Sequence, residues 1–184
     1  TVKIRLGWWE TTSNPISFAL GLQEAGAQLI TVHGRTRRQG FSGNADWEAI
    51  AKIKKSLDIP IIANGDIKNS RDAIKCLEIT NADGVMIGRA SMGAPWLVGQ
   101  IDQEINNQKP FRVPDAKIKI GLSLEHLKLL LSKKGNHGLL IARKHMNWTC
   151  RGFKGSSSLR RKLVRARTPY DAIKLLEDEL IKLD

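Results

Sequence analysis

Ile59-Pro-Ile-Ile-Ala-Asn-Gly-Asp-Ile67 and Ala82-Asp-Gly-Val-Met-Ile-Gly-Arg-Ala90 decide the fold. Each is a short apolar run that breaks off into Gly and polar residues. Runs of this length, with β-branched side chains and Gly, Asn or Asp at the exit, read as buried parallel strands. Between them, Asn69 and Ser70 start a helix whose apolar set is Ala73, Ile74, Leu77 and Ile79. The result is a strand–helix–strand unit with its chemistry at the strand exits. Where such units close into barrels, the loops after the strands form the active face, and the last two often bind phosphate.

Working towards the N-terminus, Trp47, Ala49, Ile50 and Ile53 form the buried stripe of a helix capped by Asp46, with Lys52, Lys54 and Lys55 outside. The loop before it holds Gly40, Gly43 and Asn44 and is expected to be mobile. Gln28 to Val32 reads as a strand that leaves through His33-Gly34-Arg35-Thr36-Arg37. A lone His is commonly structural, but a strand exit beside Gly and Arg makes His33 an equal candidate for function. Ser13-Asn14-Pro15 starts a helix with Phe18, Ala19, Leu22 and Ala25 as its apolar face and Gly26 at its end. Thr1 to Arg5 alternates like a strand, with Lys3 and Arg5 on one side and Val2 and Ile4 on the other. Its basic pair reads either as guards of an exposed edge or as part of an anion or cofactor site. A first residue already inside a strand suggests a truncated start.

Towards the C-terminus, a strand at 84–87 is followed by a helix from Trp96 to Ile105, entered through Gly88-Arg89-Ala90 and Gly93-Ala94-Pro95. Four strands thus alternate with helices between residues 1 and 106, the pattern of a parallel sheet. After a linker at 106–114 with Pro110 and Pro114, strand patterns stop. Ile118, Leu122, Leu124, Leu127 and Leu131 mark one helix, Leu139 to Trp148 a second and Ser157 to Val164 a third. Thr168-Pro169 opens a fourth bearing Ala172, Leu175, Leu176 and Leu180. The expectation is α/β followed by all-α: domains at 1–108 and 109–184, the second a small helical bundle.

The 184 residues carry a formal net charge of +12. Residues 1–114 hold 14 Lys or Arg against 11 Asp or Glu, whereas residues 115–184 hold 16 against 7. From Arg143 to Arg167 there are nine basic residues and no acidic one. A solvated basic face is one reading, and a polyanion-binding surface is the sharper one, because the imbalance is local. Cys76 and Cys150 make neither a disulfide framework nor a metal site, and His126, His137 and His145 lack ligand spacing. No apolar run is long enough for a membrane span. A reduced, cytoplasmic protein is expected.

At the strand exits, Asn64-Gly65-Asp66 offers an amide, a close backbone approach and a carboxylate. Gly88-Arg89 sets a bare backbone N–H beside a guanidinium at a helix entry, a pairing suited to phosphate. No Walker loop or dinucleotide glycine pattern is present.

Val2-Lys-Ile-Arg5, Val32-His-Gly-Arg-Thr36, Ala63-Asn-Gly-Asp-Ile67 and Val85-Met-Ile-Gly-Arg89, in that order, resemble the tRNA-dihydrouridine synthases. Ala142-Arg-Lys-His-Met-Asn-Trp148, Lys154-Gly155 and Leu159-Arg-Arg161 look like that family's helical tRNA-binding domain, and the likeness is nearest the bacterial B-type branch. The resemblance implies an FMN-bearing (β/α)8 TIM barrel followed by a helical domain. It implies that Lys3 contacts the isoalloxazine, that His33 sits by the flavin, and that Asn64, Gly65 and Asp66 line its ribityl–phosphate side. Gly88 and Arg89 would hold the phosphate, and Arg143, Lys144, Lys154, Arg160 and Arg161 would bind tRNA. NADPH would reduce FMN, the flavin would pass hydride to a uridine C5=C6 bond, and a Cys would supply the proton.

Against that pattern the chain starts at the family's fifth strand, and neither Cys76 nor Cys150 matches the acid Cys loop. The expectation is therefore the C-terminal half of the barrel, inactive alone, completed by the missing N-terminal half or by self-association. A non-catalytic tRNA-binding remnant and another FMN barrel oxidoreductase, dihydroorotate dehydrogenase-like, are the alternatives.

Overall fold

The computed structural model describes residues 1–9, 14–107 and 110–183. Ser13 at the first helix start and the 108/109 domain boundary lie outside the described residues. Within them the chain divides into two compact units, Thr1–Ser91 with Trp96–Pro110 and Met92–Pro95 with Phe111–Asp184.

In the first unit, β1 (Val2–Arg5), β2 (Ile30–His33), β3 (Ile61–Asn64) and β4 (Gly84–Met86) form one parallel sheet in the order β1-β2-β3-β4. Helices α1 (Pro15–Glu24), α2 (Trp47–Ser56) and α3 (Ser70–Thr80) make the crossovers, and α4 (Leu97–Asn107) follows β4. Side chains alternate along each strand, so the register sorts them into two faces. Val2, Ile4, Ile30, Val32, Ile61, Ala63 and Val85 share one face, while Lys3, Arg5, Thr31, His33, Ile62, Asn64, Gly84 and Met86 share the other. Ile30, Val32, Ile61 and Ala63 are fully buried, as are Ala19, Ile50, Ile53, Ala73 and Cys76 of the crossover helices. Each buried Ile contributes about 1.5–3 kcal/mol.

The helix starts follow from their caps. Asn14 accepts from the Ser17 amide, Asp46 from Ala49 and Asn69 from Asp72. Asp83 then ties the elements together. Its carboxylate accepts from Lys54 Nζ at 2.8 Å and from the Ile61 amide at 2.7 Å.

Several expectations need correction. β2 begins at Ile30 and takes in His33, and β3 runs from Ile61 through Asn64, so both strands end on the polar residue. Phe18, Ala25 and Ile74 are exposed. α1 buries Ala19 between half-buried Ile16, Leu20 and Leu22, and α3 buries Ala73, Cys76 and Thr80. Gly88-Arg89 enters no α-helix. Arg89–Ser91 is a single 3-10 turn, and α4 starts only at Leu97.

The second unit holds α5 (Ala116–Lys134), α6 (His137–Thr149), α7 (Ser156–Arg165) and α8 (Pro169–Ile181). Their shared core is Ile120, Leu127, Leu139, Ala142, Met146, Cys150, Leu159, Leu163, Ala172 and Leu176. Ile118 was expected inward but is exposed, with Ile120 buried in its place. Gly138 lets α6 approach α5, because a Cβ there would stand 2.6 Å from the Leu130 carbonyl oxygen. Asp115 caps α5, and Thr168 with Asp171 forms a reciprocal capping box on α8. No helix among the described residues is long and apolar enough to cross a membrane.

Candidate functional site

Parallel pairing brings the last residues of the strands side by side. Arg5 stands opposite His33, His33 opposite Asn64, and Asn64 opposite Met86. All four are on the face away from the apolar core set. Lys3 lies one pleat back on the same face, exposed, on the edge strand of this sheet. Asn64 is fixed by its own Nδ2, which donates to the Met86 carbonyl at 2.7 Å.

Behind this row Arg35 enters the interior, 1% exposed. Its Nη2 donates to Asp66 Oδ2 at 2.6 Å and to the Gly43 carbonyl at 2.6 Å, and its Nε donates to the Ser42 carbonyl at 3.1 Å. The Ala45 amide adds a further hydrogen bond to Asp66 Oδ2 at 2.7 Å. Arg35 Nη1 is buried without a hydrogen-bond partner. The glycine-rich loop expected to be mobile is therefore fastened. Arg35 holds it from inside, and Arg5 Nη1 donates to Thr36 and Gly40 carbonyls at 2.9 and 3.0 Å.

Asp66 sits at φ 58°, a left-handed conformation that costs a non-glycine residue free energy and is maintained by its contacts. Gly65 before it has φ 125° and packs on the His33 ring. A Cβ there would lie 3.0 Å from His33 Cδ2 and 2.6 Å from Ala45 Cβ. The Gly65 carbonyl accepts from Trp47 Nε1 at 3.0 Å. Arg89 approaches the other Asp66 oxygen at 3.5 Å and keeps most of its side chain in solvent. Gly88 has open space where a Cβ would be.

Electrostatically the edge is cationic. Burial, then Arg5, Lys3 and Arg35, lower the His33 pKa from 6.5 to about 4, against a small opposing pull from Asp66. His33 is thus neutral at physiological pH. Lys3 is also shifted down, by burial and by Arg5. The Asp66 carboxyl is held below its ordinary range despite partial burial, by the Ala45 amide and by Arg35 and Arg89. Lys3, Arg5, Arg35 and Arg89 outnumber the one carboxylate, so the edge suits an anion.

Neither thiol belongs to this edge. Cys76 is buried in α3, with its pKa raised to about 11 by burial, and Cys150 is buried at the end of α6, also shifted up. Groups of His, Cys, Asp and Glu able to hold a metal are absent among the described residues.

In the second unit, Lys144, Lys154 and Arg161 are exposed. Arg143 and Arg160 are half-buried and serve as staples. Arg143 Nη2 donates to the Ala166 carbonyl at 2.8 Å, and Arg160 Nη1 to the Cys150 carbonyl at 2.9 Å, each closing a helix end. In the sequence Arg35 is one letter of a strand exit, and Trp8, Trp9 and Phe41 belong to no motif. Their signal, aromatic and basic residues interleaved after β1 and β2, was present in the chain.

The family model for dihydrouridine synthase (Dus) matches residues 1–183. The chain belongs to the dihydrouridine synthase family. It is 46% identical to "Probable tRNA-dihydrouridine synthase 1" of Synechocystis sp., over 98% of this chain and 51% of that protein. A probable tRNA-dihydrouridine synthase of Rickettsia bellii is 44% identical, over 87% of this chain and 49% of that one. The tRNA-dihydrouridine synthase B of Xanthomonas axonopodis pv. citri is 37% identical, over 97% and 54% respectively. The chain spans about half the length of the curated relatives it matches. These matches do not favour the dihydroorotate dehydrogenase-like alternative. Among solved structures, a mandelate oxidase covers 97% of this chain and 56% of its own at 15% identity and a TM-score of 0.34, a likeness too slight to carry a conclusion.

Proposed function

We propose that this dihydrouridine synthase chain forms part of a flavin enzyme that reduces the C5=C6 bond of a uridine in tRNA. The observation that carries the reading is the cationic strand edge, with His33 and Asn64 in register and Arg35 sealed behind them. Its sheet of four parallel strands is read as half of a (β/α)8 barrel, and the helical unit as the tRNA-binding part.

The residues fit FMN. Gly88 leaves open space beside the Arg89 guanidinium, the edge carries a surplus of cations, and the buried Arg35 Nη1 has a donor to spare. Gly88 and Arg89 would hold the phosphate, Asn64 and Gly65 would line the ribityl chain, and Lys3 and His33 would flank the ring. The Asp66 carboxylate is already committed to Arg35 and the Ala45 amide. Its part is to hold Gly65 and Arg89 in place rather than to meet an anionic ligand. These residues would hold FMN, whose chemistry there, once reduced by NADPH, would be hydride donation to the uracil ring. Neutral His33 accepts or donates a hydrogen bond without adding charge at the ring. The target base leaves the RNA stack to reach the ring. Both described thiols are buried with raised pKa values, so the proton donor is assigned to no residue of this chain. Turnover by the chain alone is not expected.

FMN fluorescence titration tests the reading. Saturable quenching, weakened at least about tenfold by Arg89→Ala, is expected for loss of a charge-assisted hydrogen bond. No saturable binding at millimolar FMN overturns the flavin assignment. Retained tRNA binding in that case favours the non-catalytic remnant.

A further inference from the structure

Three large aromatic side chains crown the loops after β1 and β2, and each has an arginine against it. Trp8 is 62% exposed, Trp9 43% and Phe41 61%. The Arg37 guanidinium lies 5.8 Å from the Trp8 ring centre, and that of Arg38 4.6 Å from Trp9. Phe41 is flanked by Arg89 at 4.3 Å and Arg5 at 5.8 Å. The two loops are laced together by backbone hydrogen bonds: Leu6 N to Arg35 O, Arg37 N to Gly7 O and Arg38 N to Trp8 O, at 3.2, 2.8 and 3.2 Å. Thr36 and Gln39 close the tip between them.

An exposed cation–π pair contributes only about 0.5–1 kcal/mol. That is less than burying a Trp or Phe side chain would give, so these pairings do not explain why the rings remain in solvent. Nor are they an ordinary apolar docking patch. Each ring has an arginine against it, and among the described residues only Arg89 of the four touches a carboxylate, Asp66 at 3.5 Å. Alternating π-faces and guanidinium groups match a polymer that alternates π-faces and phosphates.

We propose that Trp8, Trp9 and Phe41, with Arg5, Arg37 and Arg38, form a nucleotide-stacking rim that holds unstacked bases of single-stranded RNA. The proposal rests on the tRNA reading above, but it assigns base contacts to the first unit, apart from the exposed cations of the helical unit. Stacking is indifferent to base identity, so the rim steadies nucleotides flanking a target without selecting them.

The test compares a short uridine oligonucleotide, inorganic polyphosphate and tRNA on the full chain. Trp8→Ala and Phe41→Ala are each expected to weaken oligonucleotide binding by about tenfold, within the range for one stacked base. Polyphosphate affinity, the salt dependence and the thermal midpoint should not move, and Trp8→Phe should restore most of the loss. Unchanged oligonucleotide binding in both alanine variants overturns the rim while leaving the tRNA reading intact. An equal loss towards polyphosphate also overturns it, since only charge would then be at work. A parent chain that binds neither oligonucleotide nor tRNA removes the tRNA reading and the rim together. Displacement of the oligonucleotide by polyglutamate favours an acidic protein partner and overturns the rim.

Discussion

Arg35 carries a positive charge into the interior and meets a single carboxylate there. Removing one partner of such a pair leaves the other desolvated, and typical losses are about 3–5 kcal/mol. Asp66 keeps some solvent, so Arg35→Ala is expected near the lower end of that range. Lys at this position keeps the charge but cannot reach Ser42, Gly43 and Asp66 at once. Urea unfolding should therefore show both variants destabilised, with faster amide exchange at 42–46. His33 sets a pH signature next to it. Its folded pKa of about 4 lies below its ordinary 6.5, so the unfolded chain binds the extra proton between those values. Stability is then complete above pH 6.5 and falls as pH drops towards 4, by at most about 1.4 kcal/mol per unit. The depressed Asp66 carboxyl adds a further loss below pH 4 in the same direction. His33→Asn should flatten the urea midpoint between pH 4 and 6.5 and leave the fall below it.

At the scale of elements, the legible features were those written in adjacent residues. Asn14, Asp46, Asn69 and Thr168 announce helix starts because a cap acts over three residues, whereas the Asp115 cap of α5 emerges only from the structure. The strand runs were legible because Ile and Val stop abruptly at Asn64 and His33. What was not legible needed distance. Phe18, Ile74 and Ile118 sit near the correct helical spacing, yet which stripe turns inward depends on the sheet or helix beneath. The loop at 40–44 looked mobile from its glycines, and a guanidinium seven residues from Ser42 holds it. The capping box on α8 is expected to contribute about 1 kcal/mol, so Thr168→Ala should lower the unfolding free energy of the helical unit by that amount, read by urea denaturation. Gly65→Ala combines a positive φ with a Cβ 2.6 Å from Ala45 Cβ. It should displace the His33 ring, visible as a shifted imidazole NMR resonance, and weaken FMN binding more than it alters the overall midpoint.

For the whole molecule, the +12 charge includes cations turned to solvent and cations tied to backbone carbonyls. Lys144, Lys154 and Arg161 are solvent-facing and free to release counterions from a polyanion. Each neutralisation to Gln should lower the slope of log affinity for tRNA against log salt by roughly one charge's worth, with the thermal midpoint unchanged. Arg143→Ala and Arg160→Ala should do the converse. They strand the Ala166 and Cys150 carbonyls, lowering the midpoint through loss of a hydrogen bond worth about 1 kcal/mol or more.

The clasp between Arg35 and Asp66 also imposes an order of assembly. The two residues are 31 positions apart, with the whole of α2 and β3 between them. During synthesis the loop after β2 is made before its anchor. Until Asp66 turns at the exit of β3, Arg35 has no counterion in the interior and its loop has nothing to close upon. The Arg37-Arg38 bond should accordingly be cut by trypsin in early refolding pulses and become protected in the same kinetic phase that orders β3.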